Sequence, residues 1–296
     1  MNEEEVIHRL DRLGDVLERP PVGPNDEIVF DDLPGVEPFK IQATDAFSAE
    51  HYHVLCHEMT PAASIFLEPR GMMGGQISNR VWMEMKAAGY EPNTSSIMAD
   101  HLSNLFRFYA FVLRNEQPEV VSLSIQQNVL SWLPIFLDVL SRQQSPLISP
   151  LGKWIEQTIL QLHPDSAPKI TSTPDLVPLH FSLADERTGL VAISIFLSTH
   201  AESGLFIPKS RLADVARKNR LPTGFGSRSQ TIEGLLRSAS GYDSLQAVCD
   251  FFLDEVGRHS KVWEQWNLKG AKVWADRWTE KLNHTATVIE SIRTAS

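Results

Sequence analysis

Cysteine is nearly missing from this 296-residue chain, which has only Cys56 and Cys249, far apart and in no CxxC spacing. That argues against a disulfide scaffold and fits a reduced, cytoplasmic setting. Positive charge is short as well. Lys and Arg number 27 against 37 Asp and Glu, a formal net charge of -10. A general nucleic-acid binder needs a basic face, so no nucleic-acid partner is expected. An acidic surface attracts a basic peptide instead. Long apolar runs are absent too. The longest lies near residues 190–197, far too short to span a bilayer, so no membrane insertion is expected. The opening MNEEEVIHRL lacks the basic start and apolar stretch of a secretory signal.

Several catalytic and nucleotide-binding signatures are missing. There is no GxxxxGK[ST] phosphate loop and no GxSxG elbow. LPTGFGSRS contains Gly224 and Gly226 but lacks a third glycine and a preceding strand, so it makes no dinucleotide fingerprint. Acidic residues are scattered, and no catalytic carboxylate pair stands out.

What remains is a helical period. Val6, Leu10, Leu13 and Leu17 mark a first amphipathic helix. Residues 20–38, rich in turn formers, read as an irregular arm. A helix around 46–59 follows, and Gly71, Gly74 and Gly75 break the chain after it. Met98, His101, Leu102, Leu105, Phe108, Tyr109 and Val112 then recur at three and four residues, which predicts one wide buried stripe. Ile125, Val129, Trp132, Leu133, Phe136 and Leu140 repeat the pattern, with Pro134 expected to kink or start a helix. Leu151, Trp154, Ile155, Ile159 and Leu162 give another.

Residues 163–178 hold four prolines and little periodicity, so a linker over 163–185 is expected. Beyond it, RTGLVAISIFLSTH fits a buried strand or a buried helix, and its length favours the helix. Leu212, Val215 and Ala216 suggest a short helix. Ser227 and Gln230 have capping-box spacing. Asp243 is placed to cap a helix through Leu245, Val248, Phe252 and Val256. Trp274, Trp278, Leu282 and Ile289 line a long last helix. Neither an internal repeat nor βαβ alternation is present, so the expected fold is all-α. The expected organisation is an N-terminal helix and arm (1–40), a helical core (41–162), the linker, and a helical extension (186–296).

Two stretches carry candidate chemistry. In HYHVLCHE, His53 and His57 lie four apart with Glu58 adjacent and Cys56 near, so imidazoles on one helical face could hold zinc. The pattern is not HExxH, because the Glu follows the second His. Partly exposed or hydrogen-bonded histidines and a small packing cysteine explain it more simply. Asp100 and His101 could be read as an acid–base pair, but neighbours on a helix point about 100° apart. The plainer reading has Asp100 satisfying backbone N–H groups near a helix start and His101 facing the core. Trp263, Trp266, Trp274 and Trp278 either pack the extension onto the first lobe or form a client surface.

The order Glu91-Pro92, Asp100-His101-Leu102 and Phe108 resembles the signature of the TorD-type chaperones of molybdoenzyme assembly. SIFLEPRGMMG resembles the family's Leu-Phe segment, and Trp132, Pro134 and Phe136 resemble its Trp-x-Pro-x-Phe helix. Ser203-Gly204, Leu221-Pro222, Gly226 and Arg228 match an extension found in longer members. The likeness touches residues 45–162 and 187–240. Ala99 stands where relatives usually have proline, Leu105 and Arg107 fill positions often acidic, and Asn128 replaces a common His.

The resemblance implies an all-α multi-helix bundle of the TorD-like type with an additional helical lobe. It implies a cytoplasmic binder without catalytic residues, metal or cofactor of its own, monomeric or dimeric. Its partner would be an apo molybdopterin-dependent reductase subunit and that subunit's twin-arginine signal peptide. The implied groove wall is Tyr90, Glu91, Pro92, Asp100, His101, Trp132 and Phe136, with Glu91 or Asp100 facing a client arginine and the two aromatics meeting its apolar part. The alternatives are a helical metalloprotein or enzyme centred on His53, His57 and Glu58, and a helical scaffold for another partner.

Overall fold

Helices make up 70% of the computed structural model, which describes residues 3–23, 26–33, 35–92, 97–143, 145, 148–163, 181–185 and 188–294. The chain divides into two units, one of Met1–Ile65 with Met73–Ser172, the other of Phe66–Met72 with Thr173–Ser296. Most of the expected linker, residues 164–180, lies outside the described residues.

The first unit opens with α1 (Glu3–Glu18), whose Val6, Leu10, Leu13 and Leu17 are buried as their spacing requires. It lies along α5 (Leu102–Arg114), which is apolar nearly all round and buried nearly all round. Between them in the chain, β1 (Glu27–Phe30), inside the expected irregular arm, pairs antiparallel with β2 (Phe39–Gln42), just beyond it. Ile28, Phe30, Phe39 and Ile41 alternate onto one face of this hairpin. Phe30 meets Phe39 at 6.2 Å and Trp154 at 5.4 Å between ring centres.

Thr44 caps α2 (Asp45–His51) by accepting from the Phe47 N–H at 3.1 Å. That helix runs straight into a π-helical turn, Tyr52–Glu58. After α3 (Ala63–Leu67), Gly71, Gly74 and Gly75 all take positive φ. They break the chain as expected, but α4 (Gly75–Ala87) starts at once, a helix the glycines mask in the sequence. Next, α6 (Pro118–Ser124) continues as a π-helical turn, Ile125–Val129, before α7 (Leu133–Ser141) and α8 (Ser149–Leu162). Pro134 sits in the first turn of α7 and so starts that helix. Among the described residues no single helix is long and apolar enough to cross a membrane. The pair Pro118–Val129 and Leu133–Ser141 passes on length and composition, but it bends by 69°.

In the second unit come α9 (Leu190–Ser198), α10 (His200–Ser203), α11 (Lys209–Lys218) and α12 (Arg228–Gly241). The ambiguous stretch before residue 200 is thus a helix. Ser227 and Gln230 form the capping box that their spacing suggests. The long α13 (Leu245–Trp266) joins α14 (Lys272–Thr294) through a π-helical turn, and the two pack together. Asp243 does not cap α13. It takes φ 53°, and Ser244 holds the cap position with no side-chain bond to the helix.

The four tryptophans are interior residues, not an exposed client surface. Trp263 stacks on Trp278 at 6.1 Å, and Trp278 meets His200 at 4.2 Å. Phe66 belongs with this unit. It stacks on Phe206 at 4.7 Å, and its carbonyl accepts from His200 Nδ1 at 3.0 Å.

Candidate functional site

Asp100 is fully buried in the turn before α5. Its Oδ2 accepts from the Ser64 N–H, in the first turn of α3, at 2.6 Å. The main chains alongside are clasped as well. Ala63 N–H donates to Asp100 O at 3.2 Å, and Leu102 N–H to Pro61 O at 2.7 Å. Asp100 therefore ties the start of α3 to the head of α5. It satisfies a backbone donor, though one from another helix.

His101 is the N-cap of α5, and its Nδ1 accepts from the Ser103 N–H at 3.3 Å. Burial pushes its pKa down to about 4, against the opposing pull of Glu18. Only the neutral ring can accept at Nδ1, so the cap and the depressed pKa agree. Asp100 and His101 thus bind separate partners and form no acid–base dyad.

Trp132 and Phe136 are wholly interior. Trp132 Nε1 donates to Asn128 O at 2.7 Å, and the two rings meet edge to face at 5.7 Å. Of the groove wall expected from sequence, Asp100, Trp132 and Phe136 are enclosed in the interior. With no surface on Asp100, Trp132 or Phe136, a peptide cannot touch them in this conformation. Asp100 sits in the turn before α5, Trp132 at the N-cap of α7 and Phe136 within α7, all packed into the core.

Asn128 centres a polar cluster beneath α4. Its Nδ2 donates to Glu84 at 2.6 Å and to Ser124 Oγ at 3.2 Å, and its Oδ1 accepts from Arg80 at 3.2 Å. Tyr109 OH lies 3.4 Å from the same Ser124 hydroxyl, and burial raises its pKa. The cluster fastens α4 to the π-helical turn that carries Asn128. Arg107 pairs with Asp15 at 2.9 Å and also with Glu18, both on α1.

The remaining expected residues do reach solvent. Tyr90 is half-buried against Phe108 at 5.7 Å and Phe111 at 5.4 Å. Pro92 is partly exposed. Glu91 has 82% of its side chain exposed and pairs with Lys86 at 3.3 Å. Lys86 also lies over the Trp82 ring at 4.8 Å. Around them sits a surface that the sequence reading missed. Trp82 is 37% exposed and Met83 63%, both on the outer face of α4. Met73 and Met98 are exposed at its N-terminal end, where a Cβ on Gly74 would lie 3.6 Å from Met98 Sδ. The usable signal was WMEM within a helical period, hidden by the glycines ahead of it.

His53, Cys56 and His57 are exposed on the π-helical turn, while Glu58 is buried. Among the described residues no three His, Cys, Asp or Glu side chains converge to hold a metal ion. The His53, His57 and Glu58 centre therefore has no geometric basis here. Compared with family models, curated proteins and solved structures, the chain matches none.

Proposed function

We propose that this chain is a cytoplasmic maturation chaperone of the TorD-like kind. It holds the unfinished catalytic subunit of a molybdopterin-dependent reductase, and that subunit's twin-arginine leader, without making or breaking a bond. The molybdopterin cofactor belongs to the client. The observation that carries this reading is the solvent-facing side of α4: Trp82 and Met83, with Met73 and Met98 at one end and Glu91 beyond the other. Thioether and indole side chains adapt to apolar sequences that differ between clients. A client guanidinium competes with Lys86 for Glu91 and offers the carboxylate a bidentate fork that an ammonium lacks. Tyr90 and Pro92 flank that carboxylate. Asp100 and His101 act from the interior by fixing the head of α5, and Trp132 by holding Asn128, which bonds to α4.

Calorimetry of the full chain with a reductase's N-terminal leader peptide tests the reading. Replacing the peptide's two arginines by lysine should weaken binding about tenfold, the loss of a charge-assisted fork. Trp82→Ala with Met83→Ser should weaken it by a similar factor, about tenfold, as for interface anchors. Unchanged affinity in both tests would remove this surface from client binding.

A further inference from the structure

Sulfur in this chain sits in seven methionines and two cysteines. The described methionines of the first unit fall into two sets. Met59 and Met85 are enclosed, at 1% and 0% exposure, while Met73, Met83 and Met98 stand open, at 55%, 63% and 43%. All three open ones border α4. Met83 is on its outer face, and Met73 comes just before its N-cap, Gly74. Met98 Sδ lies 3.6 Å from where a Cβ on Gly74 would be. The Met98 main chain is pinned there, because its carbonyl accepts from the His101 N–H at 3.1 Å and from Asn104 Nδ2 at 3.0 Å. Met72, also open, belongs to the second unit.

Thiols ordinarily meet an oxidant first, as thiolates. Neither cysteine is suited to that here. Burial raises the Cys56 thiol above its ordinary pKa, and it pushes Cys249, which is enclosed, up to about 11. At neutral pH both stay protonated. A thioether has no proton to lose, so access decides its rate. The oxidant-sensitive sulfur of the first unit therefore lies around α4.

We infer that Met73, Met83 and Met98 form a reversible oxidation site for hydrogen peroxide, which turns the α4 surface from apolar to polar. The thioether sulfur attacks one peroxide oxygen. The O–O bond breaks, an S–O bond forms, and the proton of the transferred oxygen passes to the other, which leaves as water. Sulfur loses two electrons and the peroxide gains them. Return takes a methionine sulfoxide reductase and a dithiol, which is oxidised to a disulfide while the oxygen leaves as water. A sulfoxide is polar where the thioether was apolar and adaptable, so each one removes an apolar contact from a client. The oxidation site stands on exposure and position, and its effect on a client rests on the function proposed above.

The test treats the full chain with hydrogen peroxide and follows each methionine by peptide-mapping mass spectrometry. Met73, Met83 and Met98 should gain oxygen about tenfold faster than Met59 and Met85. Retention in hydrophobic-interaction chromatography should fall on oxidation. It should fall less in a variant carrying Met73→Leu, Met83→Leu and Met98→Leu, swaps that keep volume but remove the sulfur. In calorimetry with the leader peptide, oxidation should weaken binding about tenfold, the share of one buried apolar side chain. Methionine sulfoxide reductases with dithiothreitol should restore it. In the leucine variant peroxide should leave the affinity where it was, whatever its starting value. Equal oxidation rates at the open and enclosed methionines overturn the inference, a result that needs no variant to fold. So does a leader peptide bound equally before and after oxidation. If the peptide binds neither form while retention still falls, the function proposed above fails and the oxidation site stands.

Discussion

Asp100 works as a structural residue. Its carboxylate is the acceptor for the Ser64 N–H, in a place without solvent. Asp100→Ala leaves that donor unmet, and we expect a loss of about 2 kcal/mol in urea unfolding, as for other buried charged hydrogen bonds. Asp100→Asn keeps an acceptor and should lose less. The plain reading of this residue was available in the sequence, because Asp near a helix start commonly takes up backbone donors. That the donor comes from α3, 36 residues earlier, was not, since only the folded chain brings Ser64 to Asp100.

His101 and His200 give the molecule an acid limit. Burial lowers their pKa values to about 4 and about 3, below the ordinary 6.5. The unfolded chain therefore binds protons more readily than the folded one. The stability these groups hold is complete above pH 6.5 and is lost as the pH falls toward 4 and 3. Roughly 3 kcal/mol per histidine should disappear between pH 6.5 and 4, measured by urea unfolding across that range. His101→Asn keeps an N-cap side chain and should flatten the slope by about one proton.

At the scale of elements, the attachment of α4 matters most to the proposed function. Asn128 bonds to Glu84 and Arg80 on that helix and to Ser124 below it. Asn128→Ala should cost about 2 kcal/mol and speed hydrogen exchange along α4, because buried partners lose their bonds together. No single-sequence pattern marks Asn128 as such a hub; its contacts lie 44 and 48 positions away. The long helices were legible because their stripes run over several turns. The hairpin was not: each strand is four residues, and the alternation of Ile28 with Phe30 is too brief to stand out among turn formers. The π-helical turns escaped for a related reason, since one added residue per turn barely disturbs an apolar stripe.

For the whole molecule, each unit has its own interior. In the second, Trp278 touches both Trp263 and His200 and has no exposed surface. Trp278→Ala should cost about 3–5 kcal/mol by leaving a large cavity, read as a shift in the unfolding of that unit. The all-α class followed from periodicity, as did the helical character of the C-terminal extension. The accessible surface did not follow, because a stripe of apolar residues reveals which side is greasy and not which helix is left uncovered. Thus Trp132 and Phe136 went inside, while Trp82 and Met83 stayed out.

In the proposed function the chain binds a twin-arginine leader along the outer side of α4. Methyl NMR of the methionine-labelled full chain, titrated with the leader peptide, tests it most directly. Shifts are expected at Met73, Met83 and Met98 and none at the buried Met59 and Met85. A saturating titration that leaves Met73, Met83 and Met98 unmoved would contradict it.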